Sequence, residues 1–164
     1  MAGEKLVEHP SSDFMIDVIR TLDIDYVGTN PGSSFRSLHE SLVNYGGNKK
    51  PELLTCLHEE SAVAMAHGYA KAAGKPMGVF LHGAAGLQRA AMVRDYIKWD
   101  DAPASLQHFA ESTVRAYKIA TTPPMEPVLV MAVQAEVAIR ARAQSAAIPA
   151  VLGAVWRAVL IAVS

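Results

Sequence analysis

The chain has 164 residues, enough for one domain with a substantial core and too few for two. With 51 % hydrophobic and 19 % charged residues, its composition excludes a disordered chain. A formal net charge of −1 provides no field to attract nucleic acid or an anionic membrane surface, so neither is expected as a partner.

The N-terminal ten residues (MAGEKLVEHP) lack the apolar stretch of a secretory signal. From Ser12 the pattern turns helical, with Phe14, Val18, Ile19 and Leu22 at three-to-four spacing and Ser12 and Asp13 placed to cap the start. A short apolar piece, Tyr26-Val27, runs into the turn Gly28-Thr29-Asn30-Pro31-Gly32. Ser33 or Ser34 can cap the next helix, whose inward face is Phe35, Leu38, Leu42 and Val43, and Gly46-Gly47-Asn48 ends it.

Leu53 to Leu57 reads as a buried strand. It contains the single cysteine, Cys56, expected to be a buried and inert thiol. One cysteine permits no intrachain disulfide, which fits a reducing cytoplasm. His58 to Ala73 predicts an alanine-rich helix stopped by Gly74. Met77 to Leu81 predicts another strand, ending at His82-Gly83. Helix and strand therefore alternate, which argues for an α/β fold: a parallel sheet between two helical layers, with loops at the strand C-terminal ends available for a ligand.

The second half is less regular. Ala84 to Arg94 can form a helix and Tyr96 to Trp99 a short strand. Pro103 to Ala120 reads as a helix that Pro123-Pro124 terminates, and Pro127 to Ala132 as a last strand. The tail from Gln134 onward, rich in Ala, Val and Arg, reads as helical. Its most apolar run, Ile148 to Val163, is too short for a bilayer and carries Arg157.

Chemistry concentrates in the segment from Leu57 to Ala70, where Glu59 and Glu60 sit at the junction of a strand and a helix. Taken alone, this needs no function, because acidic residues complement the dipole of any helix start. The histidines His9, His39, His58, His67 and His108 show no metal-ligand spacing, and His58-Glu59 lacks the second histidine of a zinc-protease helix. No metal ligand is expected in the chain.

Three pieces change that reading. They are Gly28-Thr29-Asn30-Pro31-Gly32-Ser33; His58-Glu59-Glu60 running to Gly68-Tyr69-Ala70-Lys71-Ala72-Ala73-Gly74; and Phe80-Leu81-His82-Gly83-Ala84-Ala85-Gly86. In this order the stretch from Asn30 to Gln88 resembles the pyrimidine-binding, N-terminal domain of thiamine-diphosphate enzymes, and within them the 2-oxo-acid decarboxylases of benzoylformate type. The resemblance implies that Glu59 is catalytic, touching N1′ of the cofactor's aminopyrimidine. A carboxyl group in an apolar site can share a proton with such a ring nitrogen. The coenzyme would then serve as the electron sink when a 2-oxo acid loses carbon dioxide.

The same resemblance implies that His82 is an active-site histidine and that Ser33 meets the substrate carboxylate. It brings Asn30, Pro31, Gly32 and Gly83 close to the cofactor. A lone histidine at a strand end is more often structural, and Asn30-Pro31-Gly32 alone is an ordinary turn.

Two departures limit the likeness. The family holds the cofactor's diphosphate through Mg²⁺ on a separate domain with a Gly-Asp-Gly motif, and this sequence contains no Gly-Asp-Gly. Around residues 92–95 one strand with its covering helix is expected to be missing, because Met92-Val93 runs directly into Arg94-Asp95-Tyr96. The organisation expected is a pyrimidine-binding-like domain over residues 1–132 and a tail of unknown role over 133–164. The resemblance thus implies a lyase-type domain that binds thiamine diphosphate, with Mg²⁺ and the diphosphate site supplied by another domain or chain, in a homo-oligomer or with a partner subunit. The alternative is a truncated, non-catalytic homologue acting as a folding or dimerisation module. A plain interaction module that reuses the sheet is a third class.

Overall fold

The computed structural model describes residues 11–81, 96–133 and 157–163. In chain order the elements are α1 (Ser11–Arg20), β1 (Tyr26–Thr29), a 3-10 turn (Ser33–Phe35), α2 (Arg36–Glu40) prolonged by a wider turn over Ser41–Tyr45, and β2 (Glu52–Thr55). Then come α3 (Glu59–Ala73), β3 (Met77–Leu81), β4 (Trp99–Asp101), α4 (Leu106–Ala120), β5 (Val128–Val133) and β6 (Arg157–Val163). The helix expected over Ala84 to Arg94, and the junction near 92–95, lie outside the described residues.

The six strands form one sheet in the order β2-β1-β3-β6-β5-β4. β1 is parallel to both β2 and β3, and β4 is parallel to β5, whereas β6 is antiparallel to both β3 and β5. Five strands therefore share one direction, and β6 alone runs against them.

Alternation along the strands sends apolar side chains to both faces, giving two cores. Val27, Phe80, Val128 and Val130 point to one face, where Met15, Ile16 and Ile19 of α1, Leu38 of α2 and Phe109 and Ala116 of α4 close over them. Met77, Val79, Leu81 and Leu129 point to the other, against Ala62 and Ala66 of α3. The result is the helix–sheet–helix sandwich expected from the alternation of elements. β3 is buried along its whole length, as a central strand covered on both faces must be.

Local chemistry explains the helix boundaries. Ser105 caps α4 by accepting a hydrogen bond from the His108 amide at 3.1 Å. α3 ends at Gly74, whose φ of 66° is the left-handed conformation that favours glycine. The buried face of α3 is Ala62, Ala66 and Ala70, and it packs closely on the sheet because β1 offers Gly28 beneath it. A Cβ at Gly28 would come within 3.1 Å of the Met65 methyl and 3.3 Å of the Ala62 Cβ.

Several expectations need correction. In α1 and just beyond it, Val18, Ile19 and Leu22 face the core as expected, together with Met15 and Ile16, and Phe14 alone of the expected set is exposed. The 3-10 turn after β1 has Gly32 at its N-cap and α2 has Phe35, neither with a side-chain cap, and so the capping position falls on neither of the two serines. β2 is an edge strand and only partly covered, which leaves Cys56 half-buried and Leu57 86 % exposed. Most notably, Arg157–Val163 is a strand inside the sheet and not part of a helix. Its apolar Ala/Val sequence suits either element, and the open position between β3 and β5 decides in favour of strand. No helix among the described residues is long and apolar enough to cross a membrane.

Candidate functional site

The site forms where β1, β2 and β3 end side by side. Their parallel register sets Thr29 opposite Thr55 on one side and Phe80 on the other. Two hydrogen bonds fix these ends. The buried Thr29 hydroxyl donates to the Phe80 carbonyl at 3.1 Å, and the Cys56 amide donates to the Thr29 carbonyl at 2.7 Å. The loops leaving β1 and β2 therefore start from a rigid base, at the strand C-termini where open α/β sheets receive ligands.

From this base Asn30 leaves β1, and His58 leads into α3. His58 is extended, with φ −142° and ψ 150°, and makes no side-chain cap; its carbonyl accepts from the Ala62 amide at 3.3 Å. Glu59 is thus the first residue of α3, at the N-terminal end of the helix. The Asn30 amide donates to one oxygen of the partly buried Glu59 carboxylate at 3.3 Å. Among the described residues this is the hydrogen bond that orients the carboxylate.

Of the residues singled out in the sequence, Asn30 and Glu59 are brought into contact. Gly32 is partly buried at the start of the 3-10 turn, and Pro31 and Ser33 beside it are exposed on the same loop. His82 and Gly83 lie outside the described residues; β3 ends immediately before them, at Leu81. Glu60 is exposed on the first turn of α3.

The sequence reading missed Thr29, whose hydroxyl ties β1 to β3, and Leu57, a large apolar side chain left in solvent two residues before Glu59. A threonine at the end of a short apolar strand is the only local signal for the first, and nothing local marks the second. The site can orient a carboxylate toward a nitrogen heterocycle or another hydrogen-bond donor. Among the described residues, no group of three or more His, Cys, Asp and Glu side chains is placed to hold a metal ion.

The family model of the thiamine pyrophosphate enzyme N-terminal TPP-binding domain matches residues 11–92, half of the chain, and covers both Asn30 and Glu59. Among curated proteins, none matches.

Proposed function

Since the chain belongs to the thiamine pyrophosphate enzyme family through its N-terminal, TPP-binding domain, we propose that it supplies the pyrimidine half of a thiamine-diphosphate site in a lyase that decarboxylates a 2-oxo acid. The observation that carries this reading is the Glu59 carboxylate, oriented by Asn30 at the head of α3. Bound there, the coenzyme would supply the electron sink for loss of carbon dioxide.

The chain's own residues would do five things. Glu59 accepts or shares the proton at the ring nitrogen, and Asn30 keeps that carboxylate pointed outward. The rigid Thr29 base fixes the distance between the two loops. Ser33, exposed on the β1 loop, and His82, just past β3, would meet the substrate carboxylate and the reacting carbon's oxygen. Gly32 and Gly83 would let backbone approach the ring closely.

Leu57 supports a site completed by another surface. Leu57 is exposed two residues before Glu59, and a second chain or domain would cover it. That partner would also bring the diphosphate and Mg²⁺ ligands, because the sequence has no Gly-Asp-Gly.

The test is calorimetry of the full chain with thiamine diphosphate and Mg²⁺, with and without a Gly-Asp-Gly-bearing partner, on wild type and Glu59→Gln. Binding is expected only with the partner, and only with Glu59 intact. Absence of heat in every combination refutes the cofactor reading; tight binding by the chain alone refutes the division between two chains. A second reading, a non-catalytic homologue that folds or dimerises, is favoured by the reversed β6 strand in the middle of an otherwise parallel sheet.

A further inference from the structure

β2 is an outer strand of the sheet and pairs on one side only, with β1. The Glu52 amide donates to the Asp25 carbonyl at 2.9 Å and the Cys56 amide to the Thr29 carbonyl at 2.7 Å, so the amides of this phase face β1. Alternation along the strand turns the amides and carbonyls of Leu53 and Thr55 the other way, to the open side. An open row of this kind is a template for another strand.

The Leu53 amide is already engaged. It donates to the Asn48 side-chain oxygen at 2.8 Å, in a part-buried bond. Two successive left-handed residues, Gly47 at φ 67° and Asn48 at φ 50°, fold the chain back so that this side chain reaches the edge. The Asn48 amide donates to the carbonyl of the buried Leu42 at 3.1 Å, which anchors the turn to the core. Glycine adopts such a backbone more easily than asparagine does, so the turn itself needs no side chain here. What Asn48 adds is the oxygen on the edge.

Without that oxygen the strand suits a copy of itself. Antiparallel pairing about Leu54 sets Leu53 opposite the second copy's Thr55, and each outward amide meets a carbonyl. Leu54 then meets the second copy's Leu54, and Glu52, the only charged residue of the strand, meets its Cys56, so no like charges oppose the pairing. With Asn48 in place, one of the two amides that each copy must contribute is taken.

We propose that Asn48 guards this edge: by holding the Leu53 amide it keeps β2 from pairing with β2 of a second copy. This inference is independent of the cofactor reading.

The test compares full-length wild type, Asn48→Gly, Asn48→Asp and the double change Asn48→Gly/Thr55→Pro in reducing buffer. Glycine keeps the turn and removes the oxygen, and aspartate keeps an acceptor. Proline removes the second outward amide without breaking a bond to β1. Hydrogen exchange reads the Leu53 amide, and sedimentation velocity reads the mass at about 10 µM and about 500 µM.

In Asn48→Gly the Leu53 amide is expected to exchange about tenfold faster, and the mass to rise at the higher concentration towards about twice the wild-type value. Asn48→Asp is expected to keep the protection at Leu53, and the double change to restore the wild-type mass. A wild-type mass for Asn48→Gly at both concentrations overturns the guard. Association that persists with Thr55→Pro overturns it too, because another surface then carries it. Unchanged exchange at Leu53 in Asn48→Gly overturns the proposal at its first step.

Discussion

The Asn30 side-chain amide and the Glu59 carboxylate meet at 3.3 Å although they arise from different strand ends and lie 29 residues apart in the chain. The contact is part-buried, so it belongs between a surface pair of negligible worth and a buried one. A double-mutant cycle with Asn30→Ala and Glu59→Gln, read by urea unfolding, is expected to give a coupling of about 0.5–1.5 kcal/mol. Strict additivity would mean that the amide does not orient the carboxylate. Neither single change is expected to cost more than about 1 kcal/mol, because neither side chain belongs to the core.

Gly28 sets how closely α3 approaches the sheet, and so where Glu59 stands. Gly28→Ala puts a methyl 3.1 Å from the mobile Met65 Cε and 3.3 Å from the Ala62 Cβ, which the methionine can partly relieve. Gly28→Val cannot be relieved in this way, because Ala62 is anchored on its helix. The valine variant is expected to lose about 1–3 kcal/mol in chemical denaturation and the alanine variant clearly less. Equal losses would show that α3 is free to shift.

These positions differ in how far sequence alone reveals them. β3 could be read directly, because Met77 to Leu81 is an unbroken apolar run next to a glycine-stopped helix, and a central strand buried on both faces has that signature. Glu59 could be found from the motif around it. Its contact with Asn30 could not, because it depends on β1 and β2 ending level in a parallel register. Leu57 was misjudged because being on an edge is a property of strand order and not of the strand. For Arg157–Val163 the local sequence leaves helix and strand nearly equal, and an opening between two strands distant in sequence makes the choice.

Lys98 shows how a charged side chain can finish a helix. Its ammonium donates to the carbonyls of Ile119 at 3.1 Å, Thr122 at 2.6 Å and Pro124 at 2.7 Å, just where α4 runs out of intrahelical partners. The positive charge also suits the negative end of the helix dipole. Lys98→Met keeps much of the aliphatic stem and removes all three bonds. It is expected to cost about 1–2 kcal/mol, and amides of the last turn of α4 should exchange with deuterium faster than those near Phe109. Unchanged exchange in that turn would deny Lys98 a capping role.

At the opposite end of the sheet from Glu59, Asp25 accepts a hydrogen bond from the Tyr69 hydroxyl at 2.8 Å and pairs with Lys75 at 3.4 Å and Lys50 at 3.5 Å. Asp23 meets the same two lysines at 3.0 and 3.2 Å. The Tyr69 hydroxyl, aided by the lysines and opposed by burial, holds the Asp25 carboxyl below the ordinary carboxylate range. The lysines do the same for Asp23. Asp25 in turn raises Tyr69, and Asp23 most strongly raises both lysines. The lowered carboxyls add stability that is complete above the usual carboxylate range and is lost as pH falls through it. The raised hydroxyl and ammonium groups add stability that is complete below about pH 10 and is lost above. Thermal melts should therefore show a plateau between these limits, falling on both sides. Asp25→Asn is expected to flatten the acid limb and Tyr69→Phe the alkaline one, each leaving the midrange melting point lowered. An acid limb that keeps its wild-type slope in Asp25→Asn would place the titrating carboxyls elsewhere.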